Sequence, residues 1–156
     1  MDLTDAARVA RGLMIQHGLK GWQFAFDRAT RRFGYCDYRR KRISLSASLV
    51  HLNSSEHVTD TILHEIAHAL CGPGNGHNEK WKDTARRIGC RPKRCYVAEV
   101  VTPQAKYTAQ CPGCGKTQPA RRRSKVACRS CCQKFNGGQY TEQFSLVYTL
   151  NERPLC

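Results

Sequence analysis

Four cysteines constrain this chain more tightly than any other feature. Cys111-Pro112-Gly113-Cys114 and Cys128-Arg129-Ser130-Cys131 form two C-x2-C pairs with thirteen residues between them. Each pair can close a tight knuckle whose backbone N–H groups face the thiolates. Two knuckles complete a tetrahedral four-thiolate zinc site with no open position, so this metal is structural. A segment this short has too little apolar mass to fold without its metal. Cys132 competes for the last place, and Cys131 is preferred because it keeps the second knuckle symmetric with the first.

There are ten cysteines in 156 residues, and a disulfide framework is the other way to use them. The N-terminal run Met1-Asp2-Leu3-Thr4-Asp5 is acidic and lacks the basic start and apolar stretch of a secretion signal. For a chain that stays in the cytoplasm, metal ligands and free thiols are the expected uses. Cys71 reads as buried and inert, Cys90 and Cys95 as spare thiols, and Cys36 and Cys156 carry no readable signal. No apolar run approaches the roughly 20 residues that cross a bilayer.

Lys and Arg number 26 against 12 Asp and Glu, a net charge of +14. That excess points to an anionic partner, nucleic acid first. Beyond Pro103 the composition shifts to cysteine pairs, an arginine run and short aromatic stretches. The expected division is therefore 1–104 and 105–156. Each part carries +7, so the second is about twice as charge-dense.

Residues 3–17 read as a helix, with Leu3, Ala6, Ala10 and Met14 at helical spacing, Thr4 as cap and Gly18 as stop. Trp22, Phe24 and Phe26 then alternate as in a strand. Further strands fit 33–37 and 42–46, and short charged turns suggest an antiparallel meander. A second helix starts at Ser54 or Ser55 and runs to Cys71, with Val58, Ile62, Ile66 and Leu70 as its core stripe. Residues 72–76 (Gly-Pro-Gly-Asn-Gly) stop it. Asn78 caps a third helix that buries Trp81, Ala85 and Ile88.

The second helix carries His64-Glu65-Ile66-Ala67-His68. One turn separates the histidines, so both rings project from one face and reach a single zinc ion. Glu65 sits beside them, angled to take a proton from a water that the metal activates. A catalytic zinc needs a third protein ligand. His77 is preferred, presented by the glycine-rich reversal, with Glu79 and Glu99 as rivals. His57 reads as a helix-cap neighbour. Asp60, one turn before His64, reads as a solvated acid near the helix start, with orientation of the His64 ring as the alternative.

The runs Arg42-Ile43-Ser44-Leu45-Ser46, Asp60 through Leu70, and Gly76-His77 followed by Trp81-Lys82 resemble the SprT/Spartan-like metalloproteases. The resemblance covers about residues 40–132. It implies an α+β fold, a small zincin-like protease domain followed by a four-cysteine zinc ribbon. It also implies two zinc ions: one catalytic, held by His64, His68 and His77 with Glu65 as base, and one structural, held by Cys111, Cys114, Cys128 and Cys131. The implied substrates are proteins bound or crosslinked to DNA. Asn78 stands where many relatives have glycine, which implies a local cap difference. The chain looks like the short bacterial or phage forms, and is expected to be a cytoplasmic monomer.

Between the knuckles lie Arg121, Arg122, Arg123 and Lys125, with Arg129 and Lys134 beyond. Tyr107, Phe135, Tyr140, Phe144 and Tyr148 are interleaved with them. Cations with stacking side chains suit sequence-tolerant nucleic-acid binding. Most of Phe135, Phe144 and Tyr148 are also expected to form the ribbon's own small core. Two other functions fit the same residues. One is a regulatory nucleic-acid-binding zinc protein with little hydrolysis, and the other a hydrolase of small amides indifferent to DNA.

Overall fold

In the computed structural model, which describes residues 1–93 and 100–152, the chain opens with helix α1 (Leu3–Gln16). Its cap is Asp2, whose carboxylate accepts the Asp5 N–H at 2.8 Å, and not Thr4. An ionised acceptor also complements the positive end of the helix dipole. Strands β1 (Gln23–Asp27), β2 (Gly34–Asp37) and β3 (Arg42–Ser46) follow.

The sheet order is β1-β3-β2, with β1 parallel and β2 antiparallel to β3. The expected meander is therefore wrong: the chain crosses from one edge to the other before returning through the middle. Burial explains the choice. Ile43, Ser44, Leu45 and Ser46 are all buried, and a strand covered on both faces belongs at the centre of a sheet. β2 is left as an edge.

A short helix, α2 (Ala47–Leu52), starts where β3 ends, with the Leu49 N–H bonded to Ser46 Oγ. Its single buried pair, Leu49 and Val50, is too short a pattern to show periodicity. Helix α3 (Ser55–Cys71) is capped by Ser54, which accepts the His57 N–H. Val58, Ile62 and Ile66 pack with Ala6, Ala10, Ile43 and Leu45 in the main core. Leu70 does not join them and is 38% exposed. A spacing of four overshoots a helical turn by about 40°, so three steps rotate Leu70 by about 120°.

Helix α4 (Glu79–Arg87) is capped by Asn78, which accepts the Trp81 N–H at 3.1 Å. Trp81 and Ala85 pack with Leu63, Ala67, Cys71 and Cys90. Asp60 is not a solvated acid. It is buried, accepts the Arg91 N–H at 3.0 Å and lies 3.5 Å from the Arg91 guanidinium. Lying beyond the first turn of α3, it is past the reach of the helix dipole and instead anchors the segment after α4. The Asn53 side chain, also buried, donates to Val101 O and accepts the Val101 N–H.

Residues 1–103 form one compact unit and 104–156 another. The second holds β4 (Tyr107–Gln110), β5 (Thr117–Ala120), α5 (Arg129–Phe135), a 3-10 turn (Glu142–Phe144) and β6 (Val147–Leu150). Its antiparallel sheet has the order β5-β4-β6. Its core is Phe144 with Cys111, Cys128, Cys131 and Cys132. Phe135 does not contribute as expected: it is 64% exposed at the end of α5, touching Phe144 from outside. Tyr148 is half-buried. Among the described residues no helix is long and apolar enough to cross a membrane.

Candidate active site

Helix α3 sets His64 and His68 one turn apart, and the reversal after it carries His77 back to them. Gly72, Gly74 and Gly76 all have positive φ, a conformation that costs glycine little and other residues more. The Asn75 side chain ties the loop to Cys71 O and Gly72 O. The Nε2 atoms of His64, His68 and His77 lie 3.2, 3.2 and 3.0 Å from one another.

Three such nitrogens cannot satisfy each other, since each carries at most one proton and would have to serve two partners. A tetrahedral zinc at about 2.0–2.1 Å would hold its nitrogen ligands about 3.4 Å apart. The triangle fits that ion. Burial, then the neighbouring histidines, pushes His64 down to about 3, and burial with His77 takes His68 to about 4. Both stay neutral, which is the ligating form.

Trp81 forms a wall common to all three rings, with centroids 4.7, 5.2 and 4.6 Å from His64, His68 and His77. Helical spacing marks it as a core residue, and only its position four residues after His77 hints at this contact. Glu79 is not in the cluster; it pairs with Lys82 at 2.6 Å on the exposed start of α4. Glu99 lies outside the described residues, as do Cys95 and Cys156.

Glu65 is buried on the side of α3 that meets β2. A Cβ at Gly34 would fall 2.5 Å from Glu65 Oε1 and 2.6 Å from its Cγ. Glycine is therefore needed there for close approach and not for its dihedrals. Burial pushes the Glu65 carboxyl up to about 8, opposed by the Arg32 charge. Cys36 on β2 is buried nearby, its thiol raised to about 12 by burial and then by Glu65. The Tyr38 hydroxyl donates to His68 O at 3.1 Å.

A cleft of about 530 Å³ opens over these groups. β2 and the loop before it form one wall, Gly74, Gly76 and His77 another, and Val100 and Thr102 line it further on. The sequence offered no sign of this wall from residues 100–102, because its attachment through Asn53 spans 48 positions.

In the second unit Cys111, Cys114, Cys128 and Cys131 bring their sulfurs within 4.8 Å of one another. Cys111 to Cys131 is 3.7 Å and Cys114 to Cys128 is 3.8 Å. Zinc–sulfur bonds of about 2.3 Å give a tetrahedral edge of about 3.8 Å, so the set fits zinc. Burial would raise the Cys111 thiol, but the N–H groups of Cys114 and Gly113 overcome it and hold it at about 7. Cys132 is buried in the same core but lies outside the set, turned about 100° further round α5.

Arg121, Arg122, Arg123, Lys125, Arg129 and Lys134 are all exposed. They fall into two groups. The loop carrying the first four is tied down by the Tyr148 hydroxyl, which donates to Ser124 O, and Arg123 lies over the Tyr107 ring at 5.2 Å. Arg129 and Lys134 belong to α5, with Lys134 over Phe135.

Comparison with known proteins finds the SprT-like family model matching residues 8–101 and the SprT-like zinc ribbon domain model matching residues 105–138. No curated protein matches the chain.

Proposed function

The chain belongs to the SprT-like family, and on that premise we propose that it is a zinc-dependent endopeptidase acting on DNA-bound or DNA-crosslinked proteins. The observation that carries this reading is the His64, His68 and His77 triangle beside a buried carboxylate, facing a cleft large enough for a peptide.

His64, His68 and His77 would hold the metal, with Trp81 restraining their rings. A zinc ion bound there would supply Lewis acidity and would bring the pKa of a water molecule to roughly 7. A cation held by the histidines would favour the ionised form of Glu65, which would accept a proton from the attacking water and pass it to the leaving amine. Its burial beside Gly34 holds the carboxylate in one place, which is what proton transfer over hydrogen-bonding distance requires. β2 is the sheet edge on the cleft, so its unpaired backbone groups suit an extended peptide lying alongside.

Gly34 tests this arrangement. Gly34→Ala is expected to push Glu65 aside and cost about 10²-fold in peptide hydrolysis, the usual result of displacing a catalytic group by an ångström. Zinc content should not change, because the histidines do not depend on Gly34. Undiminished hydrolysis in this variant would exclude Glu65 as the base.

The arginine loop of the ribbon supports the DNA part of the reading. Exposed guanidinium groups, that of Arg123 above Tyr107, offer phosphate pairing and stacking with no demand on sequence. The test is cleavage of a DNA-binding protein with and without DNA. Wild type should be accelerated by DNA, and R121A/R122A/R123A should lose most of that acceleration. Equal rates with and without DNA would favour a hydrolase that ignores DNA. DNA binding with no cleavage at all would favour a regulatory zinc protein.

A further inference from the structure

The positive charge of the first unit is unevenly spread. Residues 27–42 hold seven cationic and two acidic side chains, which is +5 of the +7 carried by residues 1–104. These cations stand at both ends of β2, the strand that walls the cleft. Arg31 and Arg32 precede it and line the cleft themselves. Arg39, Arg40 and Lys41 follow Tyr38, the last lining residue on that side.

Arg31, Arg39 and Lys41 are exposed and have no ion pair among the described residues. Arg40 pairs with Asp37 at 3.3 Å, and Asp37 also accepts the Arg40 N–H, so the turn is held in shape. Arg32 pairs with Asp27 and lies over the half-exposed Tyr35 ring at 4.9 Å.

A second, independent observation concerns the backbone. Lys41 has φ of 45°, the only positive φ outside glycine among the described residues. Its N–H bonds back to Tyr38 O and its carbonyl accepts the Gln23 N–H. The position closes a hairpin turn where glycine or asparagine sits at lower cost. Strain kept in an exposed turn points to a use for the side chain, and an ammonium with no partner has no structural one.

We propose that these two cation groups form a nucleic-acid contact on the first unit itself, one at each end of the cleft's β2 wall. From residue 32 to residue 39 the chain spans at most about 23 Å. A phosphate backbone carries a charge every ~3.4 Å of each strand and meets both groups at once. An acidic peptide would need carboxylates at matching intervals. This contact would hold DNA against the cleft. The inference rests on the DNA-directed reading above but concerns a different surface from the ribbon.

The test uses the full chain and a short DNA duplex, with affinity measured by fluorescence anisotropy between 50 and 200 mM salt. R39Q/K41N removes two cations, leaves the Arg40–Asp37 pair intact and puts asparagine where φ is positive. Binding should weaken about tenfold at 0.1 M salt, and the dependence of log K on log salt should flatten by about 1.8. K41N alone should also bind less tightly while melting at a higher temperature, which a purely structural lysine would not do.

R121A/R122A/R123A is measured in parallel. Loss of affinity in that variant with none in R39Q/K41N would overturn this inference and leave the ribbon reading standing. A wild-type chain that does not bind the duplex would overturn both. Competition by polyglutamate as effective as by DNA, at equal charge, would assign the surface to an acidic protein instead.

Discussion

Glu65→Gln is expected to reduce peptide hydrolysis by about 10²–10⁴-fold, the usual share of a positioned general base. Glutamine matches glutamate in size, so it can occupy the space beside Gly34 that a Cβ there would close. The buried site keeps its shape and loses only the ability to accept a proton. Metal content should stay at the wild-type level, since His64, His68 and His77 would supply the ligating nitrogens. His64→Ala should instead remove one zinc per chain and lose hydrolysis with it. Elemental analysis of the two variants beside a cleavage assay separates ligand from base. Cleavage at the wild-type rate by the glutamine variant would sink the mechanism.

The second large effect is expected at the ribbon. Its core is one phenylalanine and four buried cysteines, and its sheet has three strands of four residues each. Gly113 lies so close to Phe144 that a Cβ there would sit 2.7 Å from the ring, so even the hydrophobic packing depends on a knuckle that the metal closes. Structural zinc sites contribute about 10–16 kcal/mol to folding of such small units, more than this core can supply. Cys131→Ser should therefore release one zinc and abolish amide protection from 104 to 152, as should a strong chelator. Cys132→Ala, which removes a thiol outside the ligand set, should keep the zinc. Hydrogen exchange followed by mass spectrometry reads both results. Protection that survives chelation would show that the unit folds without its metal.

Legibility followed sequence distance. The one-turn spacing of His64 and His68 and the two-residue gaps of the cysteine pairs bring ligands together whatever else the chain does. Caps at Ser54 and Asn78 were readable for the same reason, because each bonds a backbone N–H three residues on. The Asp2 cap is hidden in the sequence because Thr4, two residues later, offers the same chemistry. Leu70 leaves the core because a stripe at intervals of four drifts around the helix.

What could not be read depends on partners far apart in the chain. Strand order turned on which strand is covered on both faces, and periodicity along one strand cannot report that. Asp60 looks like any helix acid until Arg91 meets it. The closeness of Gly34 to Glu65 leaves no pattern in composition or spacing, and the contact of Trp81 with three histidines leaves only its four-residue interval from His77. The residue types and local intervals were enough to mark two candidate metal sites and a candidate base. The buried setting of that base, the edge strand that walls its cleft and the cations at either end of it came from packing across the chain. Those contacts join residues that no local period links.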